Sequence, residues 1–128
     1  MTSIRTLSLA ACAVAAAGSA ALAAPPADPS AAEAVKRAFG NTIVSTYPDG
    51  RKGFLYLNAD GTFTTLGRHR TSSTGKWSIK GAKVCLKRIR PPAPFGYCTA
   101  APQGDSWPAK AVTGEKLRVQ LVKGHVDS

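Results

Sequence analysis

The residues of this chain best suited to chemistry are cations in one bracketed segment. Cys85 and Cys98 enclose CLKRIRPPAPFGYC, which carries Lys87, Arg88, Arg90, three prolines and the aromatic residues Phe95 and Tyr97. Arg88 and Arg90 can fork onto a carboxylate or phosphate, and the prolines reduce the entropy such a segment loses on binding. Arg68 and Arg70 form a second basic stretch on either side of His69. The chemistry these types suggest is recognition of an anion by Arg68, Arg70, Lys87, Arg88 and Arg90, with Phe95 and Tyr97 adding flat apolar contacts.

Catalysis finds less support. Glu33 reads as a helix cap, Asp49 and Asp60 each precede a glycine in a turn, and Asp105 and Glu115 each follow one. Asp28 precedes a proline and Asp127 lies in the tail, so no carboxylate pair is expected on strands facing a cavity, as glycoside hydrolysis would require. The chain has no Gly-x-Ser-x-Gly elbow, no phosphate-cradling glycine loop and no His-Glu-x-x-His helix. His69 has no nucleophile beside it and reads as part of a solvated basic loop. There is no Cys-x-x-Cys, and His69 and His125 lie at no recognised ligand spacing, so neither a metal nor another cofactor is expected.

These residues need a scaffold and a compartment, and the N-terminus speaks to both. Arg5 is the only charge in the first 27 residues, an Ala- and Leu-rich run follows, and Ala21-Leu22-Ala23 offers the small residues that signal peptidase cuts after. The expected division is a signal peptide over 1–23, a Pro- and Ala-rich linker over 24–29 and one domain over 30–128. An uncleaved anchor fits less well, because the run is mostly alanine and is interrupted by Gly18 and Ser19. Leu9-Ala10-Ala11-Cys12 also matches a lipoprotein box, but it lies close to Arg5 and the apolar run continues past it. The chain is therefore expected in the periplasm or secreted, and not membrane-spanning once cleaved.

Removal of the leader takes Cys12, leaving Cys85 and Cys98 to pair in an oxidising compartment. It also takes Arg5, leaving 16 basic residues against 7 acidic, a net of +9. Such a surface attracts anions, and the anions outside a cell are anionic glycans, lipid head groups and acidic proteins rather than nucleic acid. Solubility alone is the competing reason for the charge.

About 105 residues suffice for one modest core. Ser30-Ala31-Ala32-Glu33 is a capping box, and Gly40 can end the helix it starts. Ala31, Ala34, Val35 and Ala38 share one small-residue face, with Phe39 beside it, which could plug a barrel or lie across a sheet. From Asn41 the period becomes alternating and turn residues recur. Strands are predicted over 42–47, 54–57, 62–66, 76–80, 83–89 and 96–100, and around Leu117, Val119 and Leu121. Trp77, Val84 and Leu86 should face the core, which turns Cys85 outward with Lys83 and Lys87. The fold class is mainly β: a small antiparallel meander barrel or sandwich of about seven strands with one short N-terminal helix.

Asp60-Gly61-Thr62-Phe63, Thr74-Gly75-Lys76-Trp77, Gly81-Ala82-Lys83-Val84-Cys85-Leu86 and Tyr97-Cys98 follow one another over roughly residues 40–100. That series resembles small bacterial periplasmic β-barrel proteins of unknown function, in which a DGT hairpin, a GxW strand and a paired LC and YC recur. Lipocalin-like domains share the strand-borne Gly-x-Trp, although this chain is shorter than a full lipocalin. The resemblance implies a fold and a compartment and says nothing of a substrate.

The leading expectation is a non-enzymatic exported binding module that grips an anionic envelope component or acidic protein through the basic loop. A second is an inhibitor that inserts this loop into a secreted hydrolase. A third is a carrier of a small apolar ligand, ranked last of the three because a core of this size is expected to leave little room for a cavity.

Overall fold

A computed structural model describes residues 29–128. The expected leader over 1–23, with Cys12, and the linker residues up to 28 lie outside the described residues. Among the described residues no helix is long and apolar enough to cross a membrane.

Helix α1 (Pro29–Lys36) opens on proline, whose fixed φ suits a first helical turn where no amide partner is needed. Ser30 thus lies inside the helix rather than before it, and Glu33 accepts from Lys36 Nζ at 3.2 Å. Gly40 adopts φ 76°, and the Asn41 side chain donates to the Arg37 carbonyl at 2.7 Å, closing the helical segment. Ala31, Ala34, Val35 and Ala38 are all buried.

Eight antiparallel strands follow: β1 (Thr42–Thr46), β2 (Lys52–Leu57), β3 (Thr62–Leu66), β4 (Ser72–Lys80), β5 (Lys83–Arg90), β6 (Tyr97–Ala100), β7 (Ser106–Lys110) and β8 (Lys116–Val122). Their order across the sheet is β6-β5-β4-β3-β2-β1-β8-β7. The meander turns back on itself because β1 pairs with both β2 and β8, Val44 lying opposite Phe54 on one side and Gln120 on the other. The barrel-like sheet is open only along the seam between β6 and β7, its two edge strands. One strand more than expected is present. Strand β7 contains Pro108, which argues against a strand in a sheet interior but is tolerated on an edge.

Alternation sends one side of each strand inward. Near the helix the inward residues are large: Ile43, Leu57, Phe63, Val84, Trp107 and Leu121, packed with the alanines and Val35 of α1. Phe39 lies tilted against Trp77 with centroids 5.8 Å apart, and the Trp77 indole donates to the Asn58 carbonyl at 2.8 Å. The helix therefore closes this end of the barrel. Toward the other end small or hydroxyl residues, Ser45, Gly53, Thr65, Ser73 and Ala109, share the inward positions with Leu117, Arg88 and Tyr97. The large residues supply most of the burial, so stability concentrates near the helix and space is left at the far end.

A second apolar cluster, Val44, Phe54 and Tyr56, lies on the opposite face of β1 and β2, covered by the tail after β8. Tyr56 donates to the Val126 carbonyl at 2.5 Å and its ring lies 3.9 Å from that of His125. The fully buried Thr42 hydroxyl donates to the Gly124 carbonyl and accepts from the Val126 amide, so its burial leaves no unmet hydrogen bond.

Candidate functional site

Because the strands alternate in direction, the connections 47–51, 67–71, 91–96 and 111–115 all emerge at the end away from α1. Among them opens a cavity of about 800 Å³. This corrects the expectation that so small a core leaves little room. Eight strands set a barrel wide enough for one small ligand, and small inward side chains in the outer half leave that space unfilled. Ile43, Leu55, Leu57, Phe63, Leu86 and Trp107 line its walls. Thr65 and Ser73 hydrogen-bond to each other across β3 and β4, which satisfies two of the hydroxyls on this lining.

Polar chemistry gathers at the mouth. Arg68 holds Glu115 in a two-pronged pair, Nη1 to Oε2 and Nη2 to Oε1, each at 3.0 Å. The Arg68 guanidinium also lies 4.1 Å from the centre of the Tyr47 ring, and Thr113 donates to Glu115 Oε1 at 3.0 Å. Glu115, read from the sequence as a turn residue away from any cavity, thus lines the mouth. Its partner is 47 positions away, which no local pattern announces. The hydrogen bonds from Arg68, and next from Thr113, hold the Glu115 carboxyl below its ordinary value.

The sign of the resulting pH dependence follows. A depressed folded value stabilises the protein above the ordinary carboxylate range and loses that contribution as pH falls through the folded value. Acid unfolding of Glu115→Gln should accordingly show a flatter stability decline below pH 4.5, the ordinary value, than the wild type. Superimposable declines would remove the pair from the account of acid stability.

The other cations named from the sequence do not converge. The register steps by one residue between Thr74 and Gly75, with Thr74 opposite Arg90 and Gly75 opposite Arg88, so Ile89 is the extra residue of a bulge. Arg88 consequently lines the cavity, whereas Arg90 lines a separate groove with Thr62, Thr64 and Thr74. Lys87 Nζ donates to the carbonyls of Ala93 and Pro94 at 2.7 and 2.9 Å, so it holds the 91–96 turn in shape. Arg70, at φ 66°, donates to the Asp127 carbonyl at 2.8 Å on the tail side. His69 accepts from Arg51 through Nδ1 at 3.0 Å.

Phe95 and Tyr97 both line the mouth. Tyr97 stands on β6 opposite Leu86, half open to solvent. The buried part of its surface pushes the phenol up, Tyr47 adds to this, and Arg88 opposes it. Cys85 and Cys98 face each other across β5 and β6 and form the disulfide. Cys85 is itself buried, although Val84 and Leu86 take the barrel interior. Among the described residues no group of three His, Cys, Asp or Glu side chains could hold a metal ion.

The site reached by folding is therefore an apolar cup whose rim combines a neutral Arg68–Glu115 pair, two tyrosines and Arg88, which has no carboxylate partner among the described residues. Comparison with protein-family models, curated proteins and solved structures found no match to this chain.

Proposed function

We propose that the chain is an exported, non-enzymatic binding module whose barrel carries a small, mostly apolar molecule. The observation that supports this reading is the cavity of about 800 Å³, whose mouth lies among the connections away from α1 and whose lining includes the edge strands β6 and β7. Its size falls within the range of about 300–1,000 Å³ usual for small-molecule sites, and an apolar wall with few polar groups at the entrance is the usual pattern. The export part of the reading rests on the leader sequence. A grip on one anion by the basic segment has less support, because Arg88 and Arg90 stand on opposite faces of the sheet.

Trp107 is only 4% exposed and lines the cavity, so it reports on an occupant. The neutral probe N-phenyl-1-naphthylamine should bind saturably, one per chain, with energy transfer from tryptophan. Ala109→Trp, which fills the outer half from the edge strand β7, should abolish that signal while preserving the unfolding midpoint within a few tenths of a molar of urea, on the order expected for an edge substitution. Probe binding that never saturates, or that survives Ala109→Trp unchanged in a folded variant, overturns the carrier reading.

A further inference from the structure

The mouth end carries an arrangement that ligand binding does not require. Phe95 is 83% exposed and Val112 79%, the two most exposed large apolar residues described. They stand on different connections, 91–96 and 111–115, and both line the opening of the same cavity. Around them the strand ends at this side present Lys52, Arg90, Lys110 and Lys116 to solvent, with Arg88 just inside. The acids of the same end are few: Asp49 lies 3.9 Å from Arg51, Glu115 is held by Arg68, and Asp127 lies on the tail side, where its backbone carbonyl accepts from Arg70. Two apolar knobs thus rise from a rim with uncompensated positive charge.

We propose that this end docks on an anionic lipid bilayer, with Phe95 and Val112 entering the boundary between head groups and acyl chains and the lysines and arginines resting on the acidic heads. A soluble polyanion would be satisfied by the cations alone and gives the exposed Phe95 and Val112 no partner. A protein interface is built around a contiguous apolar centre, whereas here the knobs stand on separate loops beside an open cavity. A bilayer accepts separate knobs, since each buries its own apolar surface in the lipid. Docking does not depend on the carrier reading. If both hold, the cavity opens onto the membrane, and a ligand passes between them without crossing bulk water.

Flotation of the purified protein with vesicles tests this directly. The protein should float with phosphatidylcholine vesicles containing phosphatidylglycerol and stay behind with phosphatidylcholine alone. Phe95→Ser with Val112→Ser should weaken the partition by about tenfold or more, from the loss of buried apolar surface. Lys110→Gln and Lys116→Gln should each weaken it by about fivefold at low salt. All four positions are exposed, and unchanged urea midpoints would confirm that the variants fold.

Equal flotation with both vesicle types, or a Phe95→Ser/Val112→Ser variant that floats like the wild type, overturns the proposal. So does absence of flotation together with tight retention on a sulfated glycan matrix, which would assign the basic end to a soluble polyanion. The N-phenyl-1-naphthylamine measurement runs separately, so loss of docking with intact probe binding leaves the carrier reading standing, and the converse leaves docking.

Discussion

Gly75→Ala should destabilise the protein by about 3 kcal/mol or more, among the largest costs of any single substitution in this fold. Gly75 lies inward on β4, at the bulge opposite Arg88, and is buried. A Cβ there would fall inside the van der Waals surface of the Lys87 carbonyl oxygen, 2.7 Å from Phe63 Cε1 and 2.8 Å from Arg88 Cα. Two of these three obstacles are backbone, which cannot move without separating β4 from β5. The expected observation is a large drop in the urea midpoint.

Two other glycines calibrate that result. A Cβ at Gly96 would meet the Leu86 carbonyl oxygen at 2.7 Å, near the edge strand β6, where the chain can give way more cheaply. A Cβ at Gly53 would find its nearest neighbour, the Tyr47 ring, at 3.7 Å, an ordinary contact. The cost should fall in the order Gly75→Ala, Gly96→Ala, Gly53→Ala. An alanine tolerated at Gly75 would mean that the bulge is not rigidly built, and the separation of Arg88 from Arg90 would lose its cause.

The second large effect is expected from Cys85→Ser with Cys98→Ser. The chain-entropy model puts the stabilisation from closing a loop with 13 residues of separation at about 3 kcal/mol. Topology adds a local consequence. Strand β6 is four residues long and pairs only with β5, so the disulfide is the covalent tie on a strand whose other edge is open. Loss of the bond should lower the urea midpoint and raise amide exchange over residues 97–100 ahead of the other strands. It should also weaken N-phenyl-1-naphthylamine binding, since Tyr97 and Thr99 form part of the cavity wall. A change below about 1 kcal/mol, with β6 protected as before, would show that the β5–β6 ladder suffices without the covalent tie.

Much of the architecture was legible in local pattern. The positive φ values at Gly50 and Gly61 fall at the turns that the Asp-Gly pairs indicate, and the one at Gly40 falls where the helical segment is expected to end. Strands β1, β3 and β5 occupy nearly the ranges that alternation indicates, and the apolar face of α1 is the one buried. Strand β4 begins four residues earlier than alternation suggests, because Ser72, Ser73 and Thr74 carry no apolar signal and are held by pairing with Leu66, Thr65 and Thr64. Strand β7 was hidden by Pro108, whose tolerance depends on lying at an edge, and edge status is a property of the whole sheet.

The candidate site was much less visible. Arg88 and Arg90 are two apart and share a face in any regular strand; one bulge residue, Ile89, puts them on opposite faces. Lys87 reads as a free cation and is spent on two carbonyls of its own turn. Tyr47, Arg68 and Glu115 come from three separate connections and meet only at the mouth. Ser45, Thr65, Ser73 and Ala109 look like ordinary strand residues, and only their common inward position turns them into empty space.

By itself the sequence determined the fold class, the helix that leads it and the positions of most turns, because each depends on neighbours a few residues apart. Only the tertiary structure decided how the sheet turns back through β1 and β8, which residues face inward, where the bulge falls and that a cavity opens beside Arg68 and Glu115. Those depend on register between distant strands, where a slip of one residue exchanges the two faces and local composition stays the same.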